Sequence, residues 1–175
     1  MNRRDFLQAS TLLGAGLIGG SALLSSCGKS KNTPLRQAGT YYIPELPDKA
    51  AAGKEIKVGV IGCGGRGSGA VDNVFEASDN IKITALADVF ADRLNGLRDK
   101  IRNKYNQEVP EANCFVGFES YKQLLDTDVD YVIFTAPPVF RPDHFKYAVE
   151  KNKHCFLEKP IAVDPKGYRT IMASA

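Results

Sequence analysis

No stretch of about 18 consecutive apolar residues occurs in the chain, so a membrane-spanning helix is not expected. Basic runs are absent too: 23 Lys and Arg are scattered among 20 Asp and Glu, without interleaved aromatics, so nucleic acid is not an expected partner. No unit of roughly 20–50 residues repeats, which excludes a solenoid or propeller. Cysteine is scarce, and Cys27, Cys63, Cys114 and Cys155 lie too far apart for a zinc site, so no metal is expected. What remains is 175 residues, 43% hydrophobic, with a net charge of +3: enough to bury the core of one globular domain.

The first residues, Met1-Asn2-Arg3-Arg4-Asp5-Phe6-Leu7, precede a weakly apolar, Gly-rich run from Leu12 to Leu24. The arginine pair with Phe-Leu behind it resembles the twin-arginine signal of exported bacterial proteins. Leu24-Ser25-Ser26-Cys27 resembles a lipoprotein processing box, with Cys27 as the lipidation site. The alternative is a chance arginine pair before a buried amphipathic helix. Residues 1–26 are therefore read as a signal peptide and set aside from the fold. The implied location is the periplasmic face of a membrane, lipid-anchored. Transport in the folded state from the reducing cytosol would tolerate the odd number of thiols left, Cys63, Cys114 and Cys155. Residues 27–54 mix Lys, Ser, Asn, Pro and Gly, and read as a tether followed by an extended arm around Tyr41-Tyr42-Ile43-Pro44.

From residue 55 the pattern alternates between strand and helix. Strands are expected at 56–61, 81–87, near 114–116, at 129–134 and at 155–157. Between them, Ala70, Val71, Val74 and Phe75, then Leu94, Leu97 and Ile101, then Tyr121, Leu124 and Leu125, recur at helical spacing. Pro142 can open a helix that buries Phe145, Ala148 and Val149, and Asp164-Pro165 reads as a cap and first turn. Five strand–helix alternations predict an α/β fold: a doubly wound parallel-sheet Rossmann domain over residues 55–175, ending inside its last helix.

After the first strand comes Gly62-Cys63-Gly64-Gly65-Arg66-Gly67, a G-x-G-x-x-G in the strand–turn–helix setting that gives the motif its meaning. Gly62 allows the turn, Gly64 lets the backbone approach a pyrophosphate, and Gly67 lets the helix pack on the strand. Backbone N–H groups of residues 62–67 then meet the phosphates. Asp88, at the tip of the second strand, can accept hydrogen bonds from both adenosine ribose hydroxyls and would repel a 2′-phosphate, favouring NAD. NADP stays possible, because Arg66 and Arg93 can offset that repulsion. The alternative role for Asp88 is to cap the next helix.

Further on stand Thr135-Ala136-Pro137-Pro138, then His144, then Lys153-His154-Cys155-Phe156-Leu157-Glu158-Lys159-Pro160. With the glycine loop, this order resembles the glucose–fructose oxidoreductase, inositol dehydrogenase and rhizopine-catabolism superfamily (Gfo/Idh/MocA). The resemblance implies an NAD(P)-dependent enzyme acting on a sugar or polyol, with Thr135, Pro137 and His144 on the nicotinamide side of the cofactor pocket. It implies that Glu158 and Lys159 position cofactor and substrate, with Lys159 at the reacting hydroxyl. Lys159 and His144 are thus the expected catalytic residues. Their alternatives are an exposed turn lysine and a half-buried helix histidine. Independently of the family, an ammonium at a strand's carboxyl end can stabilise a developing alkoxide or polarise a carbonyl. Members continue into a second α/β domain, expected to supply the proton-transfer partner, the substrate pocket and a homo-oligomer interface. The resemblance thereby implies that this segment acts together with that domain. Three functions remain open: hydride transfer to or from a sugar or cyclitol, a glycosidase with tightly held, recycled NAD, and a non-catalytic sugar-binding lipoprotein.

Overall fold

The computed structural model describes residues 53–175; the signal, Cys27 and most of the arm lie outside the described residues. Five strands alternate with five helices: β1 (Ile56–Ile61), α1 (Gly65–Ala77), β2 (Ile81–Asp88), α2 (Ala91–Tyr105), β3 (Cys114–Val116), α3 (Ser120–Leu125), β4 (Tyr131–Phe134), α4 (Arg141–Glu150), β5 (His154–Leu157) and α5 (Pro165–Ser174). The sheet order is β3-β2-β1-β4-β5, and every pairing is parallel. This is the doubly wound architecture that the alternation predicts.

Helices cover both faces, so the central strands are apolar on both sides. On one face Ala70 and Val71 of α1 and Leu94, Leu97 and Ile101 of α2 pack on Val58, Val60, Ile83, Leu86 and Ile133. On the other, Leu124 and Leu125 of α3 and Ala148 of α4 pack on Ile61, Ala85, Ala87, Val132 and Phe134. Ile83 and Ala85 face opposite ways although they are two apart, which simple alternation forbids. The β1–β2 register explains it: Val58 pairs with Ile83 but Gly59 with Ala85, so Thr84 is one extra residue, a bulge that resets the phase.

The outer edge of β2 would expose unpaired peptide groups, because β3 pairs only with Leu86, Ala87 and Asp88. Side chains cover the rest. The Ile83 N–H donates to Gln107 Oε1 at 3.1 Å and Gln107 Nε2 donates to the Ile81 carbonyl at 2.8 Å. Asn113 Nδ2 donates to the Thr84 carbonyl at 2.9 Å. Two amide side chains thus stand in for a missing strand. Helices α1 and α2 are joined at Asp72, which accepts from Lys100 at 2.6 Å, Lys104 at 3.0 Å and the Tyr105 hydroxyl. The Lys100 and Tyr105 hydrogen bonds hold its carboxyl below the usual carboxylate range.

Two sequence expectations change in detail. β4 begins at Tyr131 rather than Val129, because the Val129 carbonyl is taken by Lys153 Nζ at 2.9 Å instead of a strand neighbour. Helix α4 buries Arg141, Pro142, His144 and Ala148, while Phe145 and Val149 are only half-buried. Its inward face is rotated so that two polar side chains point at the strand ends.

Candidate cofactor site

From β1 the chain steps outward in one direction to β2 and β3, and in the other to β4 and β5. Where that direction reverses, the carboxyl ends of β1 and β4 part and leave a crevice. A cavity of about 500 Å³ opens there, lined by the glycine loop, Asp88, Thr135, Pro137 and His144.

The three motif glycines differ in what they meet. Gly62 turns at φ +98, and a Cβ on it would stand 2.4 Å from the Ala136 nitrogen. A Cβ on Gly67 would stand 2.0 Å from the Gly62 carbonyl oxygen, so only glycine lets α1 start this close to β1. Gly64 is different: its nearest neighbour is Arg93 Nη1 at 3.6 Å, and Gly65 has nothing within 4 Å. Protein packing does not demand these two glycines, and the space beside them belongs to the cavity. Helix α1 has Gly64 at its N-cap, no capping side chain and no acidic residue in its first turn. Its first N–H groups and the positive end of its dipole therefore face the crevice with no side chain of the helix's own first turn to neutralise them. These residues fit a bound diphosphate.

Asp88 does not cap α2, whose N-cap is Phe90 with no side-chain cap hydrogen bond; it accepts two other backbone N–H groups. Its Oδ2 accepts the Cys63 N–H at 2.6 Å, and its Oδ1 accepts the Phe90 N–H at 2.9 Å, ahead of α2. The carboxylate thereby ties the glycine loop to the β2 tip while lining the cavity. Cys63 contributes its backbone. Its side chain is 3% exposed, lies in the core and contacts the Ala87 carbonyl at 3.5 Å. Burial, then the Asp88 charge, push that thiol far above the ordinary range, so it has no nucleophilic role. Thr135 Oγ1 donates to the Gly62 carbonyl at 2.7 Å, fixing the loop from the β4 side. Also lining the cavity, Arg93 lies 5.0 Å over the ring of exposed Phe90.

His144 lines the far side of the cavity. It stacks on Tyr121 with centroids 4.1 Å apart and on Phe140 at 6.0 Å. Its Nδ1 is buried without a hydrogen-bond partner among the described residues. Burial pushes its pKa down to about 4, against weaker opposing pulls from Asp143 and Glu119. The ring is therefore neutral at physiological pH, with one polar nitrogen uncommitted. Because the folded pKa is depressed, the neutral ring stabilises the fold above about pH 6.5, and this is lost as pH falls toward 4. His144→Phe should remove up to about 3 kcal/mol of that acid-side slope. Urea unfolding at pH 7 and pH 4.5 checks it; an unchanged slope would contradict the burial account.

Glu158 directly follows β5 and is 8% exposed. Its Oε2 accepts from Arg66 Nε at 2.5 Å, and its Oε1 accepts the Lys159 N–H at 3.1 Å. The Arg66 hydrogen bond holds the Glu158 carboxyl below its usual range. So Glu158 joins the glycine loop to the loop carrying Lys159, although neither Glu158 nor Lys159 lines the cavity itself. Lys159 is exposed, ahead of a cis bond to Pro160.

The sequence reading missed Arg141. Only 4% exposed, it donates from Nε to the Ala136 carbonyl at 3.0 Å and from Nη1 to the carbonyls of Glu158 and Pro160. One signal was present: a cation in the first turn of a helix opposes the helix dipole and so needs a local reason.

A 3-2-1-4-5 parallel sheet with an uncapped, glycine-opened helix at its switch point defines a dinucleotide-binding Rossmann domain. Residues 56–175 match the description "Oxidoreductase family, NAD-binding Rossmann fold", and the chain belongs to that family, Gfo/Idh/MocA. It is 33% identical over 169 residues to glycosyl hydrolase family 109 protein 2 of Shewanella sp. strain ANA-3, covering 92% of this chain and 34% of the relative. A glycosyl hydrolase family 109 protein of Streptomyces coelicolor is 28% identical over 165 residues, covering 94% and 34%. The chain thus spans about a third of the length of these curated relatives. In fold it is similar to scyllo-inositol dehydrogenase of Lactobacillus casei, solved with NAD(H) and scyllo-inositol, at a TM-score of 0.56 and 24% identity, covering 69% of this chain and 33% of that one.

Proposed function

We propose that this chain is the nucleotide-binding part of an enzyme that moves a hydride between NAD(H) and a secondary hydroxyl or ketone of a sugar or cyclitol. The observation that carries the reading is the start of α1, where Gly64 and Gly65 leave open space and no side chain caps the N–H groups. Bound there, NAD(H) supplies the hydride acceptor or donor. The chain's own residues do the rest. The amides of residues 64–67 hold the diphosphate, since those of Gly62 and Cys63 already donate to the Ala87 carbonyl and to Asp88, and Asp88 holds the ribose and disfavours a 2′-phosphate. Thr135, Pro137 and neutral His144 border the nicotinamide end. Lys159 serves the reacting oxygen, donating a hydrogen bond to the carbonyl or stabilising the alkoxide. Export and lipid attachment at Cys27 belong to the same proposal, supported by Arg3-Arg4 and by Leu24-Ser25-Ser26-Cys27.

The curated relatives favour a second reading, a glycosidase in which the hydride is returned within each turnover. One experiment separates the two. The full-length protein, recovered from membranes, is heat-denatured to count released NAD, then assayed with polyols and with aryl glycosides. Net NADH on adding polyols marks a dehydrogenase. Glycoside cleavage with stoichiometric NAD and no net NADH marks the glycosidase. Neither activity, with no nucleotide released, would sink both, and a Cys27→Ala protein that stays in membranes would sink the anchor.

A further inference from the structure

We infer that Arg141 is a positioning residue that sets the nicotinamide-side turn and the Lys159 loop in fixed relation to one another. The two segments leave neighbouring strands: Ala136-Pro137 follows β4 and Glu158-Lys159-Pro160 follows β5. Past their strands the ladder ends with the Ala136 N–H donating to Ile61 and the Glu158 N–H to Phe134, and the carbonyls beyond need donors. Arg141 supplies these from one buried guanidinium, taking the Ala136 carbonyl on one side and the Glu158 and Pro160 carbonyls on the other. Those last two carbonyls bracket Lys159, so the fork fixes the backbone on both sides of it. A planar guanidinium presents several donors in fixed directions, which a lysine ammonium does not.

The cost of the arrangement indicates that it serves more than packing. Arg141 is only 4% exposed, sits in the first turn of α4 where the dipole disfavours a cation, and meets no carboxylate in an ion pair among the described residues. Glu158 is the nearest source of compensation: its charge opposes the burial effect that lowers the Arg141 pKa. The Glu158 carboxylate itself goes to Arg66. Arg141 and Arg66 therefore grip Glu158 at opposite ends, one by its carbonyl and one by its carboxylate. Together they connect the glycine loop, the β4 turn and the Lys159 loop.

This role rests on the hydride-transfer reading, since what is positioned is Lys159 against the nicotinamide side. The test compares full-length wild type, Arg141→Lys and Arg141→Met. Three quantities are read: NAD(H) affinity by calorimetry, amide hydrogen exchange, and kcat with whichever polyol or glycoside the wild type turns over. Arg141→Met should bind NAD(H) within about 3-fold of wild type while exchange speeds up in 136–140 and 158–163 and stays unchanged in β1 and α1. A displacement near 1 Å at Lys159 lowers kcat by about 10²-fold, and Arg141→Lys should fall between, with KM little changed. Unchanged exchange at both segments, or unchanged kcat in both variants, would overturn the role. So would faster exchange throughout with NAD(H) binding lost, which marks a merely structural residue. If Arg141→Met does not fold, Arg141→Lys decides alone by the same readings. A wild type that binds NAD(H) but turns over no sugar sinks the hydride-transfer reading instead, and hydrogen exchange still decides whether the two segments are tied.

Discussion

Valine at position 64 should abolish NAD(H) binding while leaving the fold intact, and alanine at position 67 should damage both. The two glycines stand three residues apart in one motif, yet they exclude side chains for different reasons. Gly64 adopts φ −68, open to any residue, and its nearest neighbour is the flexible end of Arg93 at 3.6 Å. A Cβ there meets no backbone atom within 4 Å, and the rest of a valine would intrude where the diphosphate is proposed to lie. Gly64→Val should keep its thermal midpoint within about 2 °C and weaken NAD(H) by at least about 100-fold, near 3 kcal/mol. At Gly67 the added carbon would sit 2.0 Å from a backbone oxygen that cannot swing away. Gly67→Ala should cost about 1–3 kcal/mol or more, a fall of roughly 2–12 °C, with NAD(H) affinity lost as well. Calorimetry and thermal melts on the same preparations check both. A Gly64→Val protein that still binds NAD(H) tightly would mean the open space beside the loop is not the diphosphate site.

Lys159→Met should separate binding from chemistry. The side chain is exposed and outside the cavity lining, so its loss should leave stability and NAD(H) affinity nearly unchanged. An ammonium that stabilises charge on the reacting oxygen acts only as that charge develops, so its removal lowers kcat and kcat/KM together. A fall of about 10²–10³-fold is expected. Single-turnover kinetics on the full-length enzyme measures it. Activity within a factor of two or so of wild type would remove Lys159 from the chemistry and leave it a surface lysine at a turn.

The fold was legible because its signals are local. β-branched runs at 56–61 and 81–88, helical spacing at Leu94, Leu97 and Ile101, and the Asp164-Pro165 cap each specify one element. The glycine loop was legible for the same reason, its three roles following from position within a strand–turn–helix unit. What stayed hidden depends on residues distant in sequence. The Thr84 bulge shows only in the β1–β2 register, and the cover that Gln107 gives to the β2 edge spans more than twenty residues. Arg141 was not singled out beside the helix-opening Pro142, because its acceptors lie at two other strands' ends. Glu158 was expected near the cofactor, but its link to Arg66 joins positions 92 apart. Polar side chains that organise a site carry little sequence pattern of their own, since their partners are set by topology.

The account stands on a dinucleotide held against the start of α1. Titrating NAD(H) into the gently purified full-length protein, with NADP(H) in parallel and native mass spectrometry alongside, measures this directly. One nucleotide per chain, bound more weakly when it carries the 2′-phosphate and lost in Gly64→Val, is the expected result. No heat at millimolar NAD(H) and no bound nucleotide in the mass spectrum would contradict it.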